Sequence, residues 1–413
     1  MRAPPTLRQI VAAAALLCLA ACSDDGLQWA DSFATPDASV NVDAAQDADG
    51  PLGDAPALDA GEDSAIECTA ADIPTDGGPK PPPGWWGQNI EAETHQWQWI
   101  DFPETFCADG SPTGLGVNLS PGATRALVYF EGGGACWDYA TCTGIIETSF
   151  HLNGFGADDF DSLLIEIYKN MLLFDRGEPK NPFADAHFVF LPYCTGDVFS
   201  GDKVTELQGL LPFNKATLHF KGAHNITEYL KRLAPTFKDV DEVVLAGSSA
   251  GGFGAGLSWH KAREAFSPIP VHVIDDSGPP IQPGGNRWEM WKEAWNMQFP
   301  AECPKCSDSL GEVVKFFQET MLKDAKLGLI TYANDAIIST FLGLAPWDFQ
   351  AGLDEIYGIF DTAPNAQYFV VPGILHTMLI GQNESIEGPG GTPLWWWISN
   401  MLDNEPAWKS VKP

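Results

Sequence analysis

The segment Val243-Val-Leu-Ala-Gly-Ser-Ser-Ala-Gly-Gly-Phe-Gly-Ala-Gly256 joins an apolar run to a cramped, glycine-lined turn and then to a helical pattern. Residues Gly247-Ser248-Ser249-Ala250-Gly251 fit G-x-S-x-G, in which a strand delivers a serine onto a strained turn and leaves directly into a helix. Small residues are required on both sides of the serine because the backbone folds back on itself there. In a chain with 41 glycines the five-residue match carries little alone, so the flanks decide it. Upstream, Val243, Val244 and Leu245 read as a buried strand; downstream, Gly252 to Phe266 places Ala255, Trp259, Ala262 and Phe266 on one helical face. The expected unit is strand, sharp turn and helix, with Ser249 on the turn.

Working outward, apolar runs at Arg125 to Phe130, Ala186 to Leu191, Val271 to Ile274, Leu327 to Tyr332 and Tyr368 to Val371 read as further strands, with helical stretches such as Ile226 to Leu233 between them. Strands alternating with helices predict an α/β fold of the α/β-hydrolase type, with a mostly parallel central sheet covered by helices on both faces. The strand ending at Phe130 runs into Glu131-Gly-Gly-Gly134, and a glycine triplet there is where such a fold sets the backbone N–H groups of an oxyanion hole.

A serine hydroxyl attacks a carbonyl only when a histidine takes its proton and a carboxylate orients that histidine. In this fold the order is serine, acid, histidine, each after a strand. Of the eight histidines only His376 follows the last strand, so it is the favoured base. Two aspartates follow strands, Asp276 in IDDSG and Asp335 in TYANDAII. The second strand beyond the nucleophile usually carries the acid, which favours Asp335 over Asp276, with Asp275 third.

At 413 residues, with 45% hydrophobic and 11% aromatic residues, the chain has ample material for one large core. A net charge of −32 argues against nucleic acid, which demands a basic footprint, and disfavours a polyanionic substrate. Residues 1–21 have a basic start, an apolar run from Ile10 to Leu19 and small residues before Cys22, a secretory signal whose Leu19-Ala-Ala-Cys22 resembles a bacterial lipobox. Cys22 is then the expected lipidation site, and the only expected contact with a membrane is through that anchor. The expected location is exported, anchored as a lipoprotein at the cell surface or in the periplasm.

Ser23 to Glu67 contains twelve acidic residues and no lysine or arginine, so residues 22–83 read as an acidic tether and residues 84–413 as the catalytic domain. The aromatic cluster Trp85, Trp86, Trp97 and Trp99 reads as packing in preference to a sugar-stacking platform. In an exported chain cysteines pair: Cys136 with Cys142 staples the loop after the glycine triplet, and Cys303 with Cys306 closes a small loop. The histidine spacing offers no metal site, and neither metal nor cofactor is expected.

Several segments match one family in the same order: YFEGGGACWDYATC, FLPYCTGDVFSGD, LAGSSAGGFG, NDA and LHT. The chain resembles the pectin acetylesterase and Notum family of carboxylesterases over roughly Asp101 to Leu402. That resemblance implies Ser249 as nucleophile, Asp335 as acid, His376 as base, and Gly133, Gly134 and Ala250 as oxyanion donors. It also implies disulfides Cys107–Cys194 and Cys136–Cys142. The implied substrate is an ester, foremost an O-acetyl group on a polysaccharide; a longer acyl ester is the alternative, and a glycan-binding lipoprotein on an inactive scaffold is the reading from another class. The segment Asn286 to Cys306, rich in Trp288, Met290, Trp291, Trp295, Met297 and Phe299, reads equally as a lid and as core.

Overall fold

The structure, a computed structural model, describes residues 87–143, 149–320, 325–380 and 385–413. The signal segment, Cys22, the acidic tether, Cys68, Trp85 and Trp86 lie outside the described residues. Among the described residues the strands longer than two residues are β1 (Gln98–Phe102), β2 (Thr113–Asn118), β3 (Arg125–Phe130), β4 (His187–Leu191), β5 (Lys203–Gln208), β6 (Lys215–Phe220), β7 (Glu242–Ser248), β8 (Val271–Asp276), β9 (Leu327–Tyr332) and β10 (Ala366–Val371). Eight of these form one sheet in the order β1-β2-β4-β3-β7-β8-β9-β10, and β5 pairs with β6 in a separate antiparallel hairpin.

The six strands expected from apolar runs are the six parallel strands, β4-β3-β7-β8-β9-β10. They are legible because a strand buried on both faces must be apolar throughout. The antiparallel edge, β1 and β2, was not expected. Its sequences QWIDF and TGLGVN mix polar residues and glycines, and Gly114 and Gly116 are small because Ile100 and Phe160 press against them.

Helices cover both faces. On Ala250–Phe266 the stripe Ala255, Trp259, Ala262 and Phe266 is buried against the sheet, as its spacing requires. Trp97 and Trp99 are half-buried and pack on Phe155, Phe160, Phe174 and Phe188 at the β1 edge. Among the described residues no helix is long and apolar enough to cross a membrane.

Disulfides join Cys107 to Cys194, Cys136 to Cys142 and Cys303 to Cys306. Three such bonds fit an oxidising compartment and therefore export. Of the three asparagines in N-x-S/T sequences, Asn383 lies outside the described residues and Asn118 and Asn225 are buried: Asn118 accepts from Arg176, and Asn225 exchanges hydrogen bonds with the backbone of Phe106. Neither is placed to carry a sugar.

Candidate active site

The carboxyl ends of β3, β7, β8, β9 and β10 lie side by side, and each leads into a residue singled out above. Ser249 follows β7 with φ 60° and ψ −122°, a conformation that a non-glycine residue holds only under local constraint. The constraint is visible in the neighbours. A Cβ on Gly247 would overlap the carbonyl of Gly251, and one on Gly251 would overlap the carbonyl of Phe130. On the β3 side, a Cβ on Gly132 would lie 2.6 Å from the Ser248 carbonyl oxygen and 3.3 Å from the Ser249 Cβ. Gly133 (φ 153°) and Gly134 (φ 77°) take conformations that side chains disfavour. Ala250 opens the following helix, so its N–H has no acceptor one turn back within that helix.

Asp335 follows β9 and is fully buried. One carboxylate oxygen, Oδ1, accepts the N–H groups of Ile337 and Ile338, both at 3.0 Å, so the residue caps the helix Ala336–Leu342. Its other oxygen, Oδ2, lies 2.8 Å from His376 Nδ1. An ionised carboxylate only accepts, so Nδ1 carries the proton and Nε2 is left with the lone pair of a base. The other seven histidines are engaged elsewhere. His272 bridges Glu242 and the Lys326 N–H, His187 accepts the Ser120 N–H, and His151 stands 3.6 Å from Glu131. His95, His219, His224 and His260 contact Ser120, the ring of Phe106, the Glu104 carbonyl and the Leu257 carbonyl respectively.

Asp276, the runner-up acid, has a different set of partners. Its buried carboxylate accepts from Ser248 Oγ at 2.7 Å and from the backbone N–H groups of Met378 and Leu379 at 2.9 Å. Asp275 is buried on the other side of β8 and accepts one backbone N–H, that of Gly278, at 2.8 Å. Burial pushes the Asp275 carboxyl up to about 8, against that hydrogen bond and with the neighbouring Asp276 charge adding to the rise.

Ser249, Ala250 and Gly134 open onto a cavity of about 450 Å³. Its far wall is apolar: Trp137, Phe253, Ile337, Ile338 and Phe341. The segment Asn286 to Cys306 braces this wall. Trp291 stacks on Phe341 with centroids 4.7 Å apart, and the Trp295 indole donates to the Cys136 carbonyl at 2.7 Å. Trp288, Trp291, Trp295 and Met297 are buried, so these residues pack as core, while Arg287 at the helix start lines the cavity. Arg287 donates to the carbonyls of Thr340 and Phe341, closing the last turn of the helix Ala336–Leu342. The Cys136–Cys142 bond staples the loop that contributes Trp137 and Thr141. Among the described residues no cluster of histidine, cysteine, aspartate or glutamate is arranged to hold a metal ion.

Comparison with known proteins is consistent with this picture. Residues 91–294 match the pectinacetylesterase family model. The human palmitoleoyl-protein carboxylesterase NOTUM is 30% identical over 178 residues, covering 42% of this chain and 34% of that protein. Palmitoleoyl-protein carboxylesterase notum1' of Xenopus laevis is 34% identical over 179 residues, with the same two coverages of 42% and 34%. The match therefore spans about a third of the length of these curated relatives. The structure of the Wnt deacylase Notum from Drosophila superposes with a TM-score of 0.57 at 18% identity, covering 78% of this chain and 96% of that one. At that identity the likeness shows the fold, an α/β-hydrolase-like sheet. Gly133, Gly134, Ser249 and Ala250 fall inside the matched residues 91–294, whereas Asp335 and His376 lie beyond them.

Proposed function

From the match of residues 91–294 to the pectinacetylesterase family model and the likeness to the Notum carboxylesterases, we propose that the chain is a serine carboxylesterase working through an acyl-enzyme. The observation that carries the proposal is Ser249, held at a strained turn on the floor of a cavity, with a 2.8 Å Asp335–His376 pair on neighbouring strand ends. Ser249 Oγ attacks the ester carbonyl and passes its proton to His376 Nε2. Asp335 holds the imidazole in the tautomer that can accept it and stabilises the imidazolium. The N–H groups of Gly133, Gly134 and Ala250 bind the oxyanion. His376 returns the proton to the departing alcohol, and water, activated in the same way, then cleaves the acyl-enzyme to the free acid.

The cavity bears on the acyl group. An acetyl ester needs room for one methyl group beyond the carbonyl. A volume of about 450 Å³ with an apolar far wall suits a longer chain and falls in the roughly 300–1,000 Å³ range of small-molecule pockets. We therefore place longer acyl esters ahead of polysaccharide acetate. The curated relatives are named as palmitoleoyl-protein carboxylesterases, in keeping with that order. Against a non-catalytic, glycan-binding reading, Trp97 and Trp99 pack on the aromatic side chains at the β1 edge. Export fits the three disulfides, and lipid anchoring at Cys22 remains part of the proposal.

Labelling with a fluorophosphonate, followed by hydrolysis of p-nitrophenyl esters of two, four and eight carbons, tests both halves. The expected result is a single label on Ser249, lost in Ser249→Ala, and a higher kcat/KM for the eight-carbon than the two-carbon ester. Near-normal hydrolysis by Ser249→Ala would overturn the chemistry. A preference for the acetate would restore the polysaccharide reading.

A further inference from the structure

We propose that Asp276 is a positioning residue that ties the loop bearing His376 to the strand end bearing Ser249; this rests on the serine esterase reading above. Three successive residues after His376 are bound to this point. Met378 N–H donates to both oxygens of the Asp276 carboxylate at 2.9 Å, and Leu379 N–H donates to Oδ2 at 2.9 Å. Thr377 N–H donates to Ser277 Oγ at 3.1 Å, and that hydroxyl in turn donates to Asp276 Oδ1 at 3.2 Å. On the nucleophile side, Ser248 Oγ donates to Oδ2 at 2.7 Å while accepting from the Tyr129 hydroxyl at 3.1 Å. The Asp276 carbonyl accepts the N–H of Ser249 itself at 2.7 Å.

Asp276 thus holds both reacting partners without touching either side chain. Two features make its carboxylate suited to this. It is fully buried among groups that are all donors, so an acceptor-only side chain satisfies every one. Its donors also come from segments 28 and 102 residues apart from it, so they fix the distance between two loops that share no strand. Thr377 adopts φ 62°, so the loop turns sharply just after the histidine, where the anchoring begins. Burial raises the Asp276 carboxyl, opposed by the Leu379 N–H, the Ser248 hydroxyl, the Met378 N–H and the nearby His376. Asp335 orients the imidazole ring; Asp276 orients the loop that carries it.

The test compares Asp276→Asn, Asp276→Ala, Ser277→Ala and Ser249→Ala in the full chain, using p-nitrophenyl butyrate, with thermal unfolding of each variant. A misplaced catalytic group typically loses about a hundredfold in rate, and that is the expected fall in kcat for Asp276→Ala, with KM within threefold of wild type. Asn keeps an oxygen for Met378 and Leu379 and so recovers about tenfold of that loss. Ser277→Ala, which frees only Thr377, should lower kcat by a few-fold with an unchanged melting temperature. If Asp276→Ala does not fold, the Asn and Ser277→Ala variants decide. Folded variants with wild-type kcat would overturn the proposal, as would a loss confined to melting temperature or KM. Ser249→Ala separates the two readings: if it is inactive while the Asp276 and Ser277 variants are fully active, only the positioning role fails. If it stays active, the esterase reading fails with it.

Discussion

The floor and the wall of the cavity are built by opposite rules. The floor, Gly134, Ser249 and Ala250, rests on strand ends: glycines at Gly132, Gly133, Gly247 and Gly251, and buried polar side chains at Ser248, Asp276 and Asp335, each with named hydrogen-bond partners. The wall consists of helix and loop residues, Trp137, Phe253, Ile337, Ile338 and Phe341, braced from behind by stacked indoles. Floor atoms are fixed by directional bonds and close backbone approach, so they are suited to moving protons. Wall side chains meet the cavity through apolar packing, so they set shape and stability. Substitutions in the two regions should therefore fail in different ways.

The largest effects belong to the floor. His376→Ala should lower kcat by about a millionfold, and Asp335→Ala by about ten-thousandfold, if the three groups act as a unit. Steady-state rates on a four-carbon ester check this, and the chain-length preference of any residual activity should survive. A loss below tenfold for Asp335→Ala would break the contrast, because the polar floor would then be structural.

The wall should show its effect first in stability. Trp291 is buried between Trp295 and Phe341, with ring centroids 5.3 and 4.7 Å away. Truncating such an aromatic to alanine costs about 3–5 kcal/mol, and urea unfolding of Trp291→Ala should show it. Turnover of the acetate should fall by less than threefold in the molecules that remain folded. Filling the cavity is milder. Thr340→Trp, at an exposed lining position, should cut kcat/KM for the eight-carbon ester by roughly tenfold and leave the two-carbon ester unchanged. Equal losses on both esters would mean that the acyl chain does not enter this cavity.

The same contrast explains what the sequence made legible. Parallel strands buried on both faces must be apolar, and a turn with no room must be glycine, so the six central strands and the turn at Ser249 could be read from composition at each position. Chain order then ranked His376 above seven other histidines and Asp335 above Asp276. The wall could not be read this way. Trp288, Trp291 and Trp295 are as apolar in a lid as in a core, and which one they form depends on Phe341, Cys136 and other residues distant in sequence. The edge strands and the β5–β6 hairpin were missed for a related reason, since half-exposed strands carry polar residues that dilute the pattern. The sequence offers Asp276 as a competitor for the acid or as part of a turn near the pocket; its tie to the His376 loop is not legible because its partners are backbone N–H groups 102 and 103 residues away, which no side-chain pattern announces.

The smallest expected effect sharpens the comparison within a single strand. Asp275 and Asp276 are consecutive on β8 and so face opposite sides of the sheet. Asp276 has four donors and Asp275 one, so hydrogen bonding opposes the rise that burial imposes on the Asp276 carboxyl more than it does for Asp275. The folded value of Asp275, about 8, lies above its ordinary 3.8. Its contribution to stability is then complete below the unfolded value and is lost as pH rises from there through about 8. Asp275→Asn keeps the oxygen that accepts from Gly278 and has no proton to lose. Its melting temperature relative to wild type should rise by several degrees between about pH 5 and about pH 8.5, because wild type loses this contribution over that range and the variant does not. Parallel melting curves at the two pH values check the sign. If both proteins lose the same amount, folding does not raise the Asp275 carboxyl, and the single hydrogen bond from Gly278 is enough to offset its burial.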